Sequence, residues 1–376
     1  MKIVYVLVSD NADYYWEQTY ISMMSLLHYN PMANIVLVVD QETHHNLVGN
    51  RECIISYANE YYIKAFDSSL SKKIRSRLLK TSIREIVKGD FLYIDCDTVI
   101  LGELPSIEIS CDVAAVYLYH YKELSKSPSY FSVLCEMDAC GEQFISEDYF
   151  NGGVIYTRDT IIAHQLFAQW HSLYKSFLAE FNIDTDQQSL YVVNNKMNCI
   201  IQPLPDEFNF QVGYGMEFIS RAIILHYLIS TCNGRKIPVH SFQTQEFMVN
   251  VRNNIENKDY LIPLIENARL SFLPDVRVTA LPLDWSHMIN KLRKFANYKH
   301  IFLYGQDRQS KMVKFLLKKS NVKVEHILND VIDKPVLYNK EDVGIIVLCP
   351  QDLMEKSIAK LARHGYIHFL PIATDL

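Results

Sequence analysis

The sequence has no paired-cysteine motif. Its 8 cysteines are scattered without any CxxC spacing, and the two nearest in the chain, Cys135 and Cys140, stand in "CEMDAC". Zinc sites and disulfide frameworks need such clusters of cysteines. We therefore predict that the cysteines of this chain are small buried hydrophobic side chains and free thiols, in a reducing compartment.

Long apolar runs and an excess of positive charge are also missing. No stretch approaches the roughly 18 apolar residues of a membrane span. The first apolar run, in "MKIVYVLVSDN", ends at Ser9 and is typical of a strand, because the core of a signal peptide is longer. The formal net charge is -6, so nucleic acid is not an expected partner. We therefore expect a cytoplasmic protein.

The chain does have ample material for folded cores. Its 376 residues are 49% hydrophobic and 12% aromatic, which favours two domains. Apolar runs alternate with helical patterns over the first hundred residues, which is typical of a doubly wound α/β sheet with mostly parallel strands. The predicted strands there are "KIVYVLVSD", "NIVLVVD", "CIISY" and "FLYIDCD", and the predicted helices are "YYWEQTYISMMSLLHY" and "KKIRSRLLKTSIREIV". Further strands are predicted at "DVAAVYLY" and "FNGGVIYTRD", a long helix at "IIAHQLFAQWHSLYKSFLAEF" and a helix start at "DQQSLYVVNN".

Two aspartates end one of the predicted strands. In "FLYIDCDTVI" an apolar run is followed by Asp95 and Asp97, and a second pair with the same spacing, Asp184 and Asp186, occurs in "NIDTDQQS". The spacing alone fits a metal site or an ordinary turn. Ligands of such sheets bind at the carboxyl ends of the strands, and Asp95 and Asp97 fall at such an end.

A second α/β unit is predicted near the C terminus. Strand and helix patterns alternate from "KHIFLYGQ" to "YIHFLPI", which indicates a small Rossmann-like domain. After Gly305 the dinucleotide fingerprint is missing, since Asp307 and Ser310 stand where glycines would, so bound NAD is not expected. The predicted division is residues 1–262, a linker 263–297 with an amphipathic helix, and residues 298–376.

Four motifs in order resemble one family. "FLYIDCDTVI", "YFNGGVIYTRD", "DTDQQSLYVV" and "IILHY" resemble the family 8 retaining glycosyltransferases, which include glycogenin and bacterial lipopolysaccharide glucosyl- and galactosyltransferases. The resemblance covers roughly residues 1–240. It implies a GT-A fold, an α/β domain that binds a nucleotide sugar.

The resemblance implies a metal site made of Asp95, Asp97 and His226. Carboxylate oxygens with one imidazole suit Mn²⁺, with Mg²⁺ as a substitute, and a cation on a diphosphate stabilises the charge of the leaving group. The other interpretation of His226 is a hydrogen-bonded histidine at a strand edge.

The resemblance also implies residues that bind the donor. Asp10, Asn11 and Tyr14 would meet the uracil and ribose, although "SDN" is equally well explained as a helix cap. Arg77 would lie near the diphosphate and sugar, and the alternative is a solvated basic helix face with Lys72, Lys73, Arg75 and Lys80.

"FNGGV" would supply Asn151 to the donor sugar, with Gly152 and Gly153 allowing close backbone approach. The alternative for the glycines is a bulge or bend in the strand.

The reacting face of the sugar is assigned to Asp186 and Gln187 by the same resemblance. Asp186 would bind sugar hydroxyls and Gln187 would lie beneath the anomeric carbon, which leaves Asp184 without a role. A carboxylate nucleophile is the usual route to retention. An amide at that position favours front-face attack on an oxocarbenium-like centre.

The match is poorest after His226. Family members carry a glycine turn and "KPW", whose lysine touches the diphosphate, whereas this chain has "HYLISTCNGRKIPVH". Lys236 is the candidate for that lysine, and Arg235 competes with it.

The segment "DWSHMINKLRKFANYK" predicts an amphipathic helix with Trp285, Met288, Ile289, Leu292 and Phe295 on one face. Such a stripe packs against a neighbouring domain or lies peripherally on an anionic membrane, and packing is the commoner role.

The sequence thus predicts a metal-dependent retaining glycosyltransferase. It would move glucose or galactose from UDP-glucose or UDP-galactose to a saccharide or lipid-linked glycan. The alternatives are a catalytically inactive nucleotide-sugar-binding or assembly protein and an NAD-dependent sugar oxidoreductase.

Overall fold

The computed structural model describes residues 1–107, 110–127, 130–212, 218–228, 231–232, 235–236, 238, 240–273, 291–305, 317, 321–328, 338–349 and 351–373. They form two compact units. The first contains residues 1–209, 223–227 and 245–266, and the second contains the described residues of 210–222, 228–244 and 267–376. The domain boundaries given above stay predictions.

The strands in chain order are β1 (Lys2–Leu7), β2 (Asn34–Asp40), β3 (Glu60–Lys64), β4 (Phe91–Ile94), β5 (Thr98–Ile100), β6 (Val113–Tyr117), β7 (Phe150–Thr157), β8 (Gln202–Pro203), β9 (Phe210–Gln211), β10 (Ile224–His226), β11 (Thr231–Cys232), β12 (Arg235–Lys236), β13 (His300–Tyr304), β14 (His326–Leu328), β15 (Val343–Cys349) and β16 (His368–Ala373). The helices are α1 (Tyr15–Tyr29), α2 (Gln41–Asn46), α3 (Cys53–Ser56), α4 (Lys72–Thr81), α5 (Ile83–Ile86), α6 (Tyr130–Ala139), α7 (Ile161–Phe181), α8 (Gln187–Lys196), α9 (Gln245–Asn253), α10 (Lys258–Glu266) and α11 (Gln351–Arg363).

A mainly parallel sheet of 7 strands forms the centre of the first unit, in the order β3-β2-β1-β4-β7-β6-β8. Strands β3, β2, β1 and β4 run parallel, β7 is antiparallel to both β4 and β6, and β6 is parallel to β8. The predicted α/β class with a mostly parallel central sheet is confirmed. Strands β4 and β7 are buried along their whole length, which explains their continuous apolar runs.

Helix α7, the longest helix among the described residues, has a cap at each end. The Thr160 hydroxyl accepts a hydrogen bond from the Ala163 amide at the start of α7. Asn182 ends the helix in the left-handed conformation, with φ 54°. The predicted helix at "IIAHQLFAQWHSLYKSFLAEF" is therefore confirmed at both ends.

Two predicted elements of the first unit are wrong. "CIISY" contains helix α3 instead of a strand, and the strand lies a few residues later, in β3. A short apolar run does not distinguish a helix from a strand, and in this protein the run forms a helix. The helix predicted at "KKIRSRLLKTSIREIV" is divided into α4 and α5 at Ser82, whose hydroxyl donates back to the Leu78 carbonyl.

A parallel sheet of 4 strands in the order β14-β13-β15-β16 forms the core of the second unit. Its doubly wound order is that of a Rossmann-like sheet. Gly305 follows β13 with φ 108°, and a Cβ there would lie 1.9 Å from the Leu348 carbonyl oxygen, so only glycine fits.

Much of the predicted linker and of the loop after Gly305 lies outside the described residues, including Trp285, Met288, Ile289, Asp307 and Ser310. The described part of the predicted amphipathic stripe is buried. Leu292 is 0% exposed and Phe295 is 8% exposed, in a core cluster with Ile346. These two side chains pack within the second unit. Within the described ranges, no helix is both long enough and apolar enough to span a bilayer.

Candidate metal centre and its surroundings

Three candidate metal ligands meet beside the carboxyl end of β4. Asp95 and Asp97 follow that strand, and His226 is the last residue of β10, which pairs antiparallel with β5 so that His226 lies opposite Thr98. The Tyr227 amide donates to the Asp97 carbonyl at 3.0 Å and fixes this register. One ligand atom from each of the three residues lies within 4.8 Å of the others.

The distances fit a divalent cation. His226 Nε2 and Asp97 Oδ1 are 3.2 Å apart, and two neighbouring ligand atoms of an octahedral cation are separated by about 3 Å. Two carboxylates and one imidazole are ligands that Mn²⁺ and Mg²⁺ accept. The donor set therefore fits a cation of this class.

The charges of these groups support each other. Burial raises the pKa of Asp97, but the charge of His226 and its hydrogen bond outweigh burial, so the pKa lies below its usual value. Burial lowers the pKa of His226, and Asp97 more than offsets this, so the pKa is raised. Opposite charge thus holds the pair together, with His226 buried and Asp97 partly exposed.

A buried lysine connects Asp95 with the second acidic motif. Lys80 Nζ lies 3.2 Å from Asp95 Oδ1 and 3.4 Å from Asp186 Oδ2, with 4% of its side chain exposed. Arg77 Nε lies 3.1 Å from the other oxygen of Asp186. The structure therefore contradicts the solvated basic face for Lys80. The sequence signal was the spacing of Lys80 and Arg77 on one helix, which brings both to the same side of α4.

These two cations control the ionisation of Asp186. Burial raises the pKa of that carboxyl, but Lys80 and then Arg77 bring it below its usual value. Asp186 in turn raises the pKa of Arg77, against the effect of burial. Both groups are therefore charged at neutral pH.

The other basic residues of α4 also contact carboxylates. Arg75 is buried and pairs with Asp40 and Glu42 at 2.7 and 2.6 Å. Lys73 Nζ contacts Asp184 at 2.7 Å, and both side chains are about half exposed. In the second acidic motif, Asp186 thus lies inward with Lys80, whereas Asp184 makes a surface ion pair.

Gln187 starts α8 and contacts the glycine pair of β7. Its Oε1 accepts a hydrogen bond from the Gly152 amide at 3.2 Å. A Cβ at Gly152 would have Lys80 Nζ and Gln187 Oε1 as its neighbours, at 3.4 and 3.6 Å. Gln187, Gly152 and Lys80 therefore lie in one cluster.

Asn151 is connected to His226 through a residue that the sequence did not indicate. Asn151 Oδ1 accepts from Asn209 Nδ2 at 2.9 Å, and Asn209 Oδ1 lies 3.0 Å from His226 Nδ1. All three side chains are buried. No sequence pattern indicated Asn209, because this residue lies in a short 3₁₀ helix and is far along the chain from Asn151 and His226.

The loop after β1 is held by three cations. Lys72 Nζ contacts Asp10 at 2.8 Å, and its hydrogen bond lowers the pKa of that carboxyl. Arg51 donates to Asn11 Oδ1 at 2.7 Å, and the Arg252 guanidinium lies over the Tyr14 ring at 4.8 Å. Asp10, Asn11 and Tyr14 are thus brought together in one ordered loop. None of the three cations was indicated by a sequence motif.

Lys236 belongs to the second unit. It lies in β12, which forms a two-residue antiparallel pair with β11, and it is described by its backbone alone. Its role stays a prediction.

No protein-family model and no curated protein matches this chain. Among solved structures, it is similar to galactosyltransferase LgtC in complex with donor and acceptor sugar analogues, at 13% identity and a TM-score of 0.44, over 69% of this chain and 100% of that chain. It is similar to glycosyltransferase GlyE of Streptococcus pneumoniae TIGR4 at 15% identity and a TM-score of 0.40, over 100% of this chain and 81% of that chain. For mouse xyloside xylosyltransferase 1 in its apo form, the values are 11% identity, a TM-score of 0.39, and coverage of 63% and 99%. All three carry the name of a glycosyltransferase. The identities and TM-scores are low, so we base the functional proposal on the residues of this chain.

Proposed function

We propose that this chain is a metal-dependent retaining glycosyltransferase of the family 8 type with a GT-A domain. It would transfer glucose or galactose from a UDP-sugar to a saccharide or lipid-linked glycan acceptor. The observation that carries the proposal is the convergence of Asp95, Asp97 and His226 at the carboxyl end of a mainly parallel sheet.

Asp95, Asp97 and His226 would hold Mn²⁺, with Mg²⁺ as a substitute. A cation bound there would stabilise the negative charge of the departing diphosphate. The ion pair between His226 and Asp97 supports this assignment, because a distance of 3.2 Å is close to the separation of neighbouring ligands of one cation.

The remaining cluster would bind the donor. The Arg77 guanidinium suits the diphosphate and sugar, because it presents several donors in a fixed plane. Asn151 and Gly152 would contact the sugar, Asp10, Asn11 and Tyr14 would contact the uridine, and Lys236 would contact the diphosphate. The hydrogen bonds that order the loop after β1 support its use as a binding surface.

Asp186 and Gln187 would act at the reacting face of the sugar. Asp186 is ionised and held by two cations, so it is suited to accept hydrogen bonds from sugar hydroxyls. The Gln187 amide is not a carboxylate nucleophile, and its carbonyl dipole would stabilise positive charge at the anomeric carbon. We propose front-face attack, in which the leaving phosphate takes the acceptor proton, because no carboxylate occupies the position of Gln187.

A panel of UDP-sugars tests the proposal, with UDP release measured with and without Mn²⁺. We expect Mn²⁺-dependent release from UDP-glucose or UDP-galactose, and retained configuration in the product by NMR. Asp97→Asn removes one ligand charge and should abolish release while the melting temperature stays close to that of the wild type. Sugar binding without release would favour the inactive binding protein, and release that Asp97→Asn leaves unchanged would refute the metal assignment.

A further inference from the structure

A line of buried hydrogen bonds runs from the backbone of β7 to the imidazole of His226. The Gly153 amide donates to Asn151 Oδ1 at 2.8 Å, and Asn209 Nδ2 donates to the same oxygen at 2.9 Å. Asn209 Oδ1 then faces His226 Nδ1 at 3.0 Å. The exposed fractions are 9% for Asn151, 0% for Asn209 and 3% for His226, so water does not compete for these contacts.

The backbone fixes the direction of every bond in this line. A backbone N–H can only donate, so the Asn151 atom that faces Gly153 must be the carbonyl oxygen. The Asn209 atom that faces this oxygen must then be its NH₂ group. The remaining Asn209 atom is a carbonyl oxygen, which needs a hydrogen from Nδ1 of His226.

This arrangement selects one tautomer of His226. A neutral imidazole that carries its proton on Nδ1 presents the lone pair of Nε2. Nε2 lies 3.2 Å from Asp97 Oδ1, so without a cation it carries a proton toward that carboxylate, and a bound cation would take the place of this proton. The opposite tautomer would leave two acceptors face to face at Asn209, which is costly in a buried setting.

Gly153 is required for the same arrangement. A Cβ at this position would lie 2.3 Å from His226 Cε1 and 2.8 Å from Nδ1. The imidazole ring therefore packs directly on the backbone of β7. Because Gly153 has no side chain, His226 has room to reach Asn209.

We propose that Asn209 is a positioning residue, which holds His226 as its Nδ1–H tautomer and so directs Nε2 to the metal. The inference rests on the proposed function for the identity of the metal. The proton on Nδ1 follows from the hydrogen bonds of this chain alone. Loss of a group that orients a histidine ligand typically weakens metal binding about 10- to 100-fold.

The first test is whether Nδ1 of His226 carries a proton in the wild-type protein without metal. Nitrogen–proton correlation spectra of ¹⁵N-histidine-labelled protein should show a proton on Nδ1 of His226, together with one on Nε2 toward Asp97. The His226→Gln variant identifies the signal. A proton on Nε2 alone would overturn the proposal, whether or not the protein transfers sugar.

The second test is the Mn²⁺ affinity of Asn209→Leu, measured by electron paramagnetic resonance of free Mn²⁺. We expect affinity to fall at least tenfold. Asn194→Leu is the matched control, since Asn194 is also a buried asparagine, 1% exposed, and its Oδ1 accepts a hydrogen bond from the Ile201 amide. Wild-type affinity in Asn209→Leu, or an equal loss in the control, would overturn the proposal. Mn²⁺ binding that depends on Asn209 in a protein without UDP release would instead refute the proposed function alone.

Discussion

At the scale of the residue, Lys80 shows how one buried cation organises the site. Its ammonium lies between Asp95 and Asp186, which come from the ends of different elements. It also lies over the Tyr93 ring at 5.2 Å, and the Tyr93 hydroxyl donates to Asp95. Lys80 therefore offsets the repulsion between these two carboxylates.

Removal of this cation should be costly for stability. Lys80→Met leaves the buried Asp186 and the partly buried Asp95 without the cation between them, so we expect the free energy of unfolding to fall by about 3 kcal/mol in urea denaturation. Lys73→Met is the control on the same helix, because its pair with Asp184 is about half exposed, and it should change the free energy by less than about 0.5 kcal/mol. Equal losses in the two variants would contradict the role of Lys80.

At the scale of the element, the short 3₁₀ helix Ser241–Gln243 in the second unit depends on one neutral histidine. His240 Nδ1 accepts from the Phe242 amide at 3.3 Å, and its Nε2–H donates to the Ala268 carbonyl at 2.8 Å. Gln243 Oε1 accepts from the His240 amide at 2.9 Å and completes the cap. Protonation of Nδ1 would break the bond to Phe242.

A dependence of stability on pH follows from this element. Burial lowers the pKa of His240 from 6.5 to about 4. Between these values the unfolded chain binds a proton that the folded chain does not, so stability is present above pH 6.5 and is lost as the pH falls toward 4. The expected loss from this group is about 3 kcal/mol.

The free energies of unfolding of the wild type and His240→Gln, measured from pH 7 to pH 4, test this. The variant should lose less stability over this range than the wild type. His45→Gln serves as the control, because His45 is exposed, and its pH profile should follow that of the wild type. Parallel profiles for the wild type and His240→Gln would contradict the assignment.

At the scale of the whole molecule, local patterns predicted the fold well. The apolar runs of β1, β2 and β4 and the helical period of α7 depend on residues near each other in the chain, and these elements are confirmed. "CIISY" failed because a run of this length fits either state, and only the contacts of the folded sheet decide that β3 is the strand beside β2.

The site could be predicted only in part, for a physical reason. Asp95, Asp97 and His226 could be proposed together because short motifs carry them, and the structure brings them together. Asn209, Arg51 and Arg252 act through contacts with residues far away in the chain, which no local pattern reveals. Contacts of the same kind separate the two aspartates of the second acidic motif, since Asp186 is buried beside Lys80 and Asp184 is about half exposed beside Lys73.

We propose that Asp95, Asp97 and His226 form the metal site and that the second acidic motif does not contribute to it. Mn²⁺ binding in the presence of UDP, measured by electron paramagnetic resonance for the wild type, Asp97→Asn and Asp184→Asn, tests it most directly. We predict one Mn²⁺ site in the wild type, its loss in Asp97→Asn, and its retention in Asp184→Asn. Equal Mn²⁺ binding by the two variants would contradict the account.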